Sequence, residues 1–60
     1  MNKKSFVTIV KSDIEVLKGL IEQAEKNEEI DLTMLNAISS RAELIGQTCT
    51  NMVFSLTAED

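Results

Sequence analysis

Apolar residues recur at alternating intervals of three and four positions in two separate stretches of the chain. This spacing is the a/d heptad pattern of helices that pack against neighbours along their length. The first series consists of Val7, Val10, Ile14, Leu17, Ile21 and Ala24. The second series consists of Leu35, Ile38, Ala42, Ile45, Cys49, Met52 and Leu56. Proline is absent from the chain, so nothing forces a break within either series. The pattern predicts two long helices, at about residues 5–27 and 31–57.

A short polar segment, "EKNEEIDLT", separates the two helical patterns. Asn27 can end the first helix, because asparagine tolerates the left-handed conformation found after many helices. Asp31 can accept hydrogen bonds from the free amides that open the second helix. A connection this short makes consecutive helices antiparallel neighbours. We therefore predict that residues 1–60 form one all-α domain, an antiparallel helical hairpin.

The length of the chain and the breadth of its apolar faces predict an oligomer. A 60-residue chain buries only a modest core, and proteins of this size usually add disulfides, a metal or a second copy. One cysteine and no histidine exclude an internal disulfide and the usual zinc ligands. Further apolar residues flank both series: Phe6, Ile9, Val16, Leu20, Met34, Ala37, Leu44, Val53 and Phe54. Two helices cannot cover faces this broad, so we expect a four-helix bundle dimer or a higher oligomer. Cys49 lies on the seam beside Val10 in the predicted hairpin and is expected to be a buried small hydrophobic residue.

The segment "SFVTIV" supports an alternative fold, because it is rich in β-branched residues and precedes a capping box, "SDIE". Read with Ser5–Val10 as a strand, "KKSFVTIVKSDIEVLKGLIEQAEKN" resembles the strand and first helix of the ribbon-helix-helix repressors and antitoxins. That resemblance implies a dimer whose paired strands enter the DNA major groove, through Val7, Ile9 and Lys11 or through Thr8. The helical interpretation is preferred, because the heptad phase of the first series extends back to Val7.

The composition offers little chemistry. Without histidine there is no imidazole base and no Ser-His or Cys-His pair. No glycine-rich phosphate loop is present, and the acidic "EKNEEID" lacks the ligand order of a calcium loop. We expect no enzyme activity, no cofactor and no metal. The apolar run near the N-terminus is too short for a signal peptide or a membrane span, so a soluble, cytoplasmic protein is expected.

Binding to a larger protein is the predicted function. Between Leu32 and Ala58 the only charged residues are Arg41 and Glu43, whereas a free surface helix normally carries charge on its outer face. Ala42, Gly46 and Thr50 add a row of small residues. The candidate partner-binding residues are Phe6, Arg41, Gly46, Thr50 and Phe54, the two phenylalanines lying at the open end of the hairpin, where they could anchor a partner. Small acidic helical proteins of this kind are often phage, plasmid or accessory regulators.

Two other binding functions remain open. A nucleic-acid-binding regulator would use Lys3, Lys4, Lys11 and Lys18 for phosphate contacts, and in shape the chain is similar to the plasmid RNA-binding hairpins of the Rop type. The net charge of −4 argues against this function. A sponge for small nucleotides, similar in shape to helical hairpins that phages use, would use Arg41, Ser40 and Thr48 at a subunit junction.

Overall fold

The computed structural model describes residues 1–58 and shows two α-helices joined by a short loop. Helix α1 spans Lys3–Lys26 and helix α2 spans Leu32–Thr57. The helices are antiparallel, since a hydrogen bond joins the two ends of the chain: the Met1 amino group donates to Ser55 Oγ at 3.1 Å. The predicted all-helical hairpin is confirmed. Residues 5–10 lie within α1, so the ribbon-helix-helix alternative with Ser5–Val10 as a strand is wrong.

Side-chain caps set where both helices begin. The Asn2 side chain accepts a hydrogen bond from the Ser5 amide at 2.8 Å, so α1 starts two residues earlier than predicted. The Asp31 side chain accepts from the Met34 amide at 2.8 Å, as predicted. Each cap satisfies a backbone donor that the helix itself leaves free. Asn27 follows the last residue of α1 as predicted, but its backbone is extended, with φ −90° and ψ 142°, and not left-handed.

The two helices meet along a seam that contains only half of each predicted series. The seam is formed by the half-buried residues, which are Phe6, Val10, Asp13, Leu17, Leu20 and Ala24 on α1 and Met34, Ala37, Ile38, Arg41, Ile45, Thr48, Met52 and Ser55 on α2. Apart from Ala37, which flanks the seam beside Ile38, their spacing again alternates between three and four. The predicted period of the seam is therefore right. At every second position, however, the seam contains the residue directly before the predicted one, for example Asp13 in place of Ile14.

Several residues that the sequence assigned to the core are exposed in the hairpin. Val7, Ile14 and Ile21 retain between 41% and 47% of their exposure, and Cys49 is also exposed. The reason is geometric: a broad helical face has room for two neighbours, and α2 covers only one side of it. The prediction that Cys49 is buried is wrong for the single hairpin.

The hairpin is a flat rod one helix thick. Its Cα atoms extend over 50 × 18 × 10 Å, with a radius of gyration of 14.4 Å, whereas a compact domain of this length would have a radius near 10 Å. None of residues 1–58 is buried. The described part of the chain therefore has a seam but no enclosed core.

Candidate interaction surfaces

One ion pair joins the two helices near the middle of the seam. Arg41 Nη1 donates to Asp13 Oδ1 at 3.0 Å, and the Asp13 side chain retains 14% of its exposure while that of Arg41 retains 33%. The sequence did not predict this pair. Phe6, Asp13 and Leu20 are spaced by seven residues, and the charged Asp13 interrupts what would otherwise be an apolar series. The available signal was Arg41, the single basic residue of α2.

The hairpin has two sides that differ in polarity. On α1, the residues that directly follow Phe6, Asp13 and Leu20 point to one side of the hairpin. On α2, the residues that directly follow the seam residues Met34, Arg41, Thr48 and Ser55 point to the same side, because the helices are antiparallel. We name this side the apolar face. It consists of Val7, Ile14 and Ile21 on α1 and Leu35, Ala42, Cys49 and Leu56 on α2. All seven are exposed, and none carries a charge.

The other side of the hairpin is more polar. From their positions on the two helices, Asp13, Arg41, Thr48 and Ser55 lie toward this side of the seam, and they include the ion pair and the hydroxyl that binds the amino terminus. We name this side the opposite face. Its flanking residues are Ile9, Val16 and Gln23 on α1 and Ala37, Leu44 and Asn51 on α2. Polar and apolar residues are mixed there, so the apolar face is the more hydrophobic of the two.

Lysines border the apolar face along α1. Lys4, Lys11 and Lys18 recur at intervals of seven on one stripe of the helix, and Glu25 continues it. A groove beside this stripe is lined by Ile14, Leu17, Lys18, Ile21, Glu22 and Glu25, which places the stripe next to the apolar face. The predicted nucleic-acid contacts Lys4, Lys11 and Lys18 therefore share one line on the surface, and Lys3 lies beside them at the first turn.

The outer surface of α2, which points away from α1, is uncharged over most of its length. A shallow, open groove of about 390 Å³ there is lined by Glu43, Gly46, Gln47, Thr50 and Asn51. Apart from its chain neighbours and the backbone of its own helix, no atom lies within 4 Å of the position that a Cβ on Gly46 would occupy. Phe54 stands one turn beyond Thr50 and is 66% exposed. The structure thus leaves this surface open to the approach of another molecule.

The five predicted partner-binding residues do not form one patch. Gly46 and Thr50 share the outer groove of α2, and Phe54 continues this outer surface toward the open end. Phe6 lies half-buried in the seam, and Arg41 is held by Asp13. Two of the residues suggested for a nucleotide sponge are bonded to other groups of the hairpin. Arg41 is paired with Asp13, and the Thr48 hydroxyl donates to the Leu44 carbonyl at 3.0 Å.

Residues 1–58 contain neither a side-chain cluster for a metal ion nor a membrane-spanning helix. This part of the chain holds no cluster of three or more acidic, cysteine or histidine side chains arranged to bind a metal ion. Neither of its helices is long and apolar enough to cross a membrane. Comparison with known proteins adds no constraint, since no family model, curated protein or solved structure matches the chain.

Proposed function

We propose that this chain is a small non-enzymatic binding protein that forms a homo-oligomer and binds or inhibits a larger protein, in the manner of phage, plasmid or accessory regulators. The carrying observation is that thirteen large apolar side chains are exposed on a hairpin without a buried core. Soluble monomers rarely leave contiguous apolar surface of this extent uncovered. A cytoplasmic location and independence from metals and cofactors are part of the same proposal.

The two uncovered surfaces suit two different contacts. The apolar face is bordered by charged residues on α1, which is the arrangement of an apolar interface with a polar rim. The outer surface of α2 lacks such a rim, and Glu43 is the single charged side chain that lines its groove. Thr57 donates its hydroxyl to the Val53 carbonyl of its own helix, which lowers the cost of covering this surface with another protein. We assign the first surface to self-association and the second to the larger protein.

On this outer surface, Gly46 and Thr50 would admit a close backbone and Phe54 would serve as an anchor. A glycine in a helix interior costs about 1 kcal/mol relative to alanine, and the open space above Gly46 shows that no contact within the hairpin offsets this cost. An uncharged helix or shallow groove of the partner would fit here. Buried aromatic anchors commonly carry much of the energy of such contacts.

Affinity capture from the source cells with variants of this surface tests the proposal. Gly46→Leu should abolish capture of the partner, while Gly19→Leu, a matched change at the other open glycine, should retain it. Circular dichroism on both variants checks that the hairpin stays folded. Equal capture by Gly46→Leu, Gly19→Leu and the wild type would show that the outer surface of α2 does not bind the partner.

A nucleic-acid-binding function is the second candidate, because Lys4, Lys11 and Lys18 form one stripe. Phosphate-driven binding would weaken steeply with salt, by about one power of the salt concentration for each phosphate contact. Replacement of Lys3 and Lys4 by glutamate would then abolish activity, and nuclease treatment would release whatever the protein captures. In the preferred proposal, the double lysine variant keeps the protein partner and nuclease has no effect.

A further inference from the structure

The apolar face has the size of a subunit interface. The chain exposes 4841 Å², about 900 Å² more than the roughly 3900 Å² that a folded monomer of 6.7 kDa has on average. A standard protein interface covers about 800 Å² on each partner. One layer of protein laid over one side of the rod would therefore bring the exposed surface of the chain to an ordinary value.

A second copy of the chain is the occupant that fits this face. The face is apolar along the length of the hairpin, from Val7 and Leu56 at the open end to Ile21 and Leu35 near the loop, so a second rod of equal length covers all of it. A second copy docked on the opposite face would have to desolvate the ion pair of Asp13 and Arg41, which is costly. Two copies joined by their apolar faces form a four-helix bundle.

Two-fold symmetry allows two arrangements of such a bundle. The loops of the two copies can lie at the same end, so that α1 packs on α2 of the second copy. Alternatively the loops lie at opposite ends, so that α1 packs on α1 and α2 on α2. The apolar face alone does not distinguish these arrangements, but the charges beside it do.

The loop end of the hairpin is strongly acidic. Between residues 22 and 31 the acids outnumber the bases five to one; the acids are Glu22, Glu25, Glu28, Glu29 and Asp31, and the base is Lys26. Loops at the same end would bring ten carboxylates of two chains together, and clustered like charges disfavour association. Loops at opposite ends separate these clusters by the 50 Å length of the rod.

The lysine stripe completes the argument. With loops at opposite ends, Lys4 of one chain lies near Glu25 of the second copy, since both belong to the same stripe of α1. Lys11 and Lys18 approach their counterparts near the symmetry axis, but Glu15 and Glu22 follow them by four residues, a spacing that pairs opposite charges on one helix. On α2 the positions beside the apolar face carry no charge, so no charge repulsion opposes the packing of α2 on α2 of the second copy, while Gly46 lies in the outer groove of α2.

We infer that two copies associate through their apolar faces as a two-fold dimer with the loops at opposite ends and α1 packed against α1. This inference rests on the proposed homo-oligomer and specifies its interface and orientation. It places the outer surface of α2, including Thr50 and Phe54, on the outside of the bundle, where it remains accessible to a larger protein.

A distance between loops tests the orientation directly. Ile30→Cys in a Cys49→Ser background carries one spin label in the loop, at a side chain that is 54% exposed and uncharged. Pulsed dipolar spectroscopy on the dimer should give a distance near the 50 Å length of the rod. Loops at the same end would give less than about 20 Å, since packed helices lie 8–10 Å apart. That short distance would overturn the orientation while leaving the homo-oligomer intact, whereas an isolated monomer would overturn both.

A charge exchange provides an independent test. Within one chain Lys4 and Glu25 are about 31 Å apart along α1, by the rise of a helix, so they can interact only between copies. Lys4→Glu should weaken dimerisation by about tenfold at low ionic strength, and adding Glu25→Lys should restore it. The control variant Lys4→Glu with Glu43→Lys has the same overall charge as Lys4→Glu with Glu25→Lys and should give no rescue. A failure of Glu25→Lys to rescue Lys4→Glu would contradict the proposed contact.

Discussion

Ile14→Ala tests whether the apolar face is a dimer interface. Ile14 lies at the middle of this face on α1 and keeps 47% of its exposure in the hairpin. Ile9 lies on the opposite face of the same helix with a similar exposure of 41%, so Ile9→Ala is a matched control. Alanine is a better helix former than isoleucine, and both substitutions should preserve α1.

The expected effect follows from the surface that a second copy would cover. Ile→Ala removes three carbon atoms, worth about 2.4 kcal/mol when all are transferred from water to an apolar interior. Since Ile14 is 47% exposed, about half of this, roughly 1.1 kcal/mol, depends on the second copy. Two chains contribute to each dimer, which gives about 2.2 kcal/mol and about a 40-fold rise in the dissociation constant. A cavity left in the interface would add to this value.

Sedimentation equilibrium across a concentration series measures the dissociation constant of each variant. The wild type should show twice the 6.7 kDa mass of the chain or a higher multiple, and Ile14→Ala should shift dissociation to about 40-fold higher concentration. Ile9→Ala should behave as the wild type. A reversed result, in which Ile9→Ala weakens association and Ile14→Ala does not, would show that the opposite face is the interface. A folded wild-type monomer at all concentrations would refute the oligomer itself.

Three further predictions concern single side chains. Cys49 is exposed in the hairpin but belongs to the apolar face, so its alkylation by iodoacetamide should slow as protein concentration rises; a rate independent of concentration would show that nothing covers it. Asp13→Ala should lower the free energy of unfolding in urea by about 1–2 kcal/mol, because it removes a charged partner of the partly exposed Arg41, while Asp13→Leu combined with Arg41→Leu should restore most of this loss. Gly46→Ala and Gly19→Ala should each raise stability by about 1 kcal/mol, since both positions are helical and open; a loss of stability with Gly46→Ala alone would show that a neighbouring subunit already occupies the space above it.

The sequence predicts the helices well because their signals are local. Heptad spacing, the Asp31 cap and the absence of proline all act within one or two turns, and the structure confirms two helices with boundaries within two residues of those expected. The sequence does not predict the cap at Asn2, because the β-branched run after it favours a strand. Helix continuity with the rest of α1 outweighs the low helix propensity of these residues.

The sequence does not predict which apolar residues face α2. An apolar spacing of three and four predicts a helical face that packs against a neighbour, without showing which residues of that face contact α2 and which stay exposed. Val7, Ile14 and Ile21 continue the series as well as Phe6 and Leu20 do, and Asp13 breaks the series that the seam in fact uses. The ion pair with Arg41 depends on a contact between residues far apart in the chain, for which one sequence gives no direct signal.

The same displacement explains why the hairpin has two unequal sides. If the seam had followed the fully apolar series, both polar members of the ion pair would have faced water and little apolar surface would remain for a second copy. Instead the ion pair of Asp13 and Arg41 joins α1 to α2 in the seam, and the fully apolar series that includes Val7, Ile14 and Ile21 stays exposed along one side. A buried or half-buried ion pair adds little net stability, but it makes the opposite face a poor place for another copy to dock. In the proposed dimer, the polar contact within the chain would thus direct association to the apolar face, and the choice of seam residues would determine the surface available for assembly.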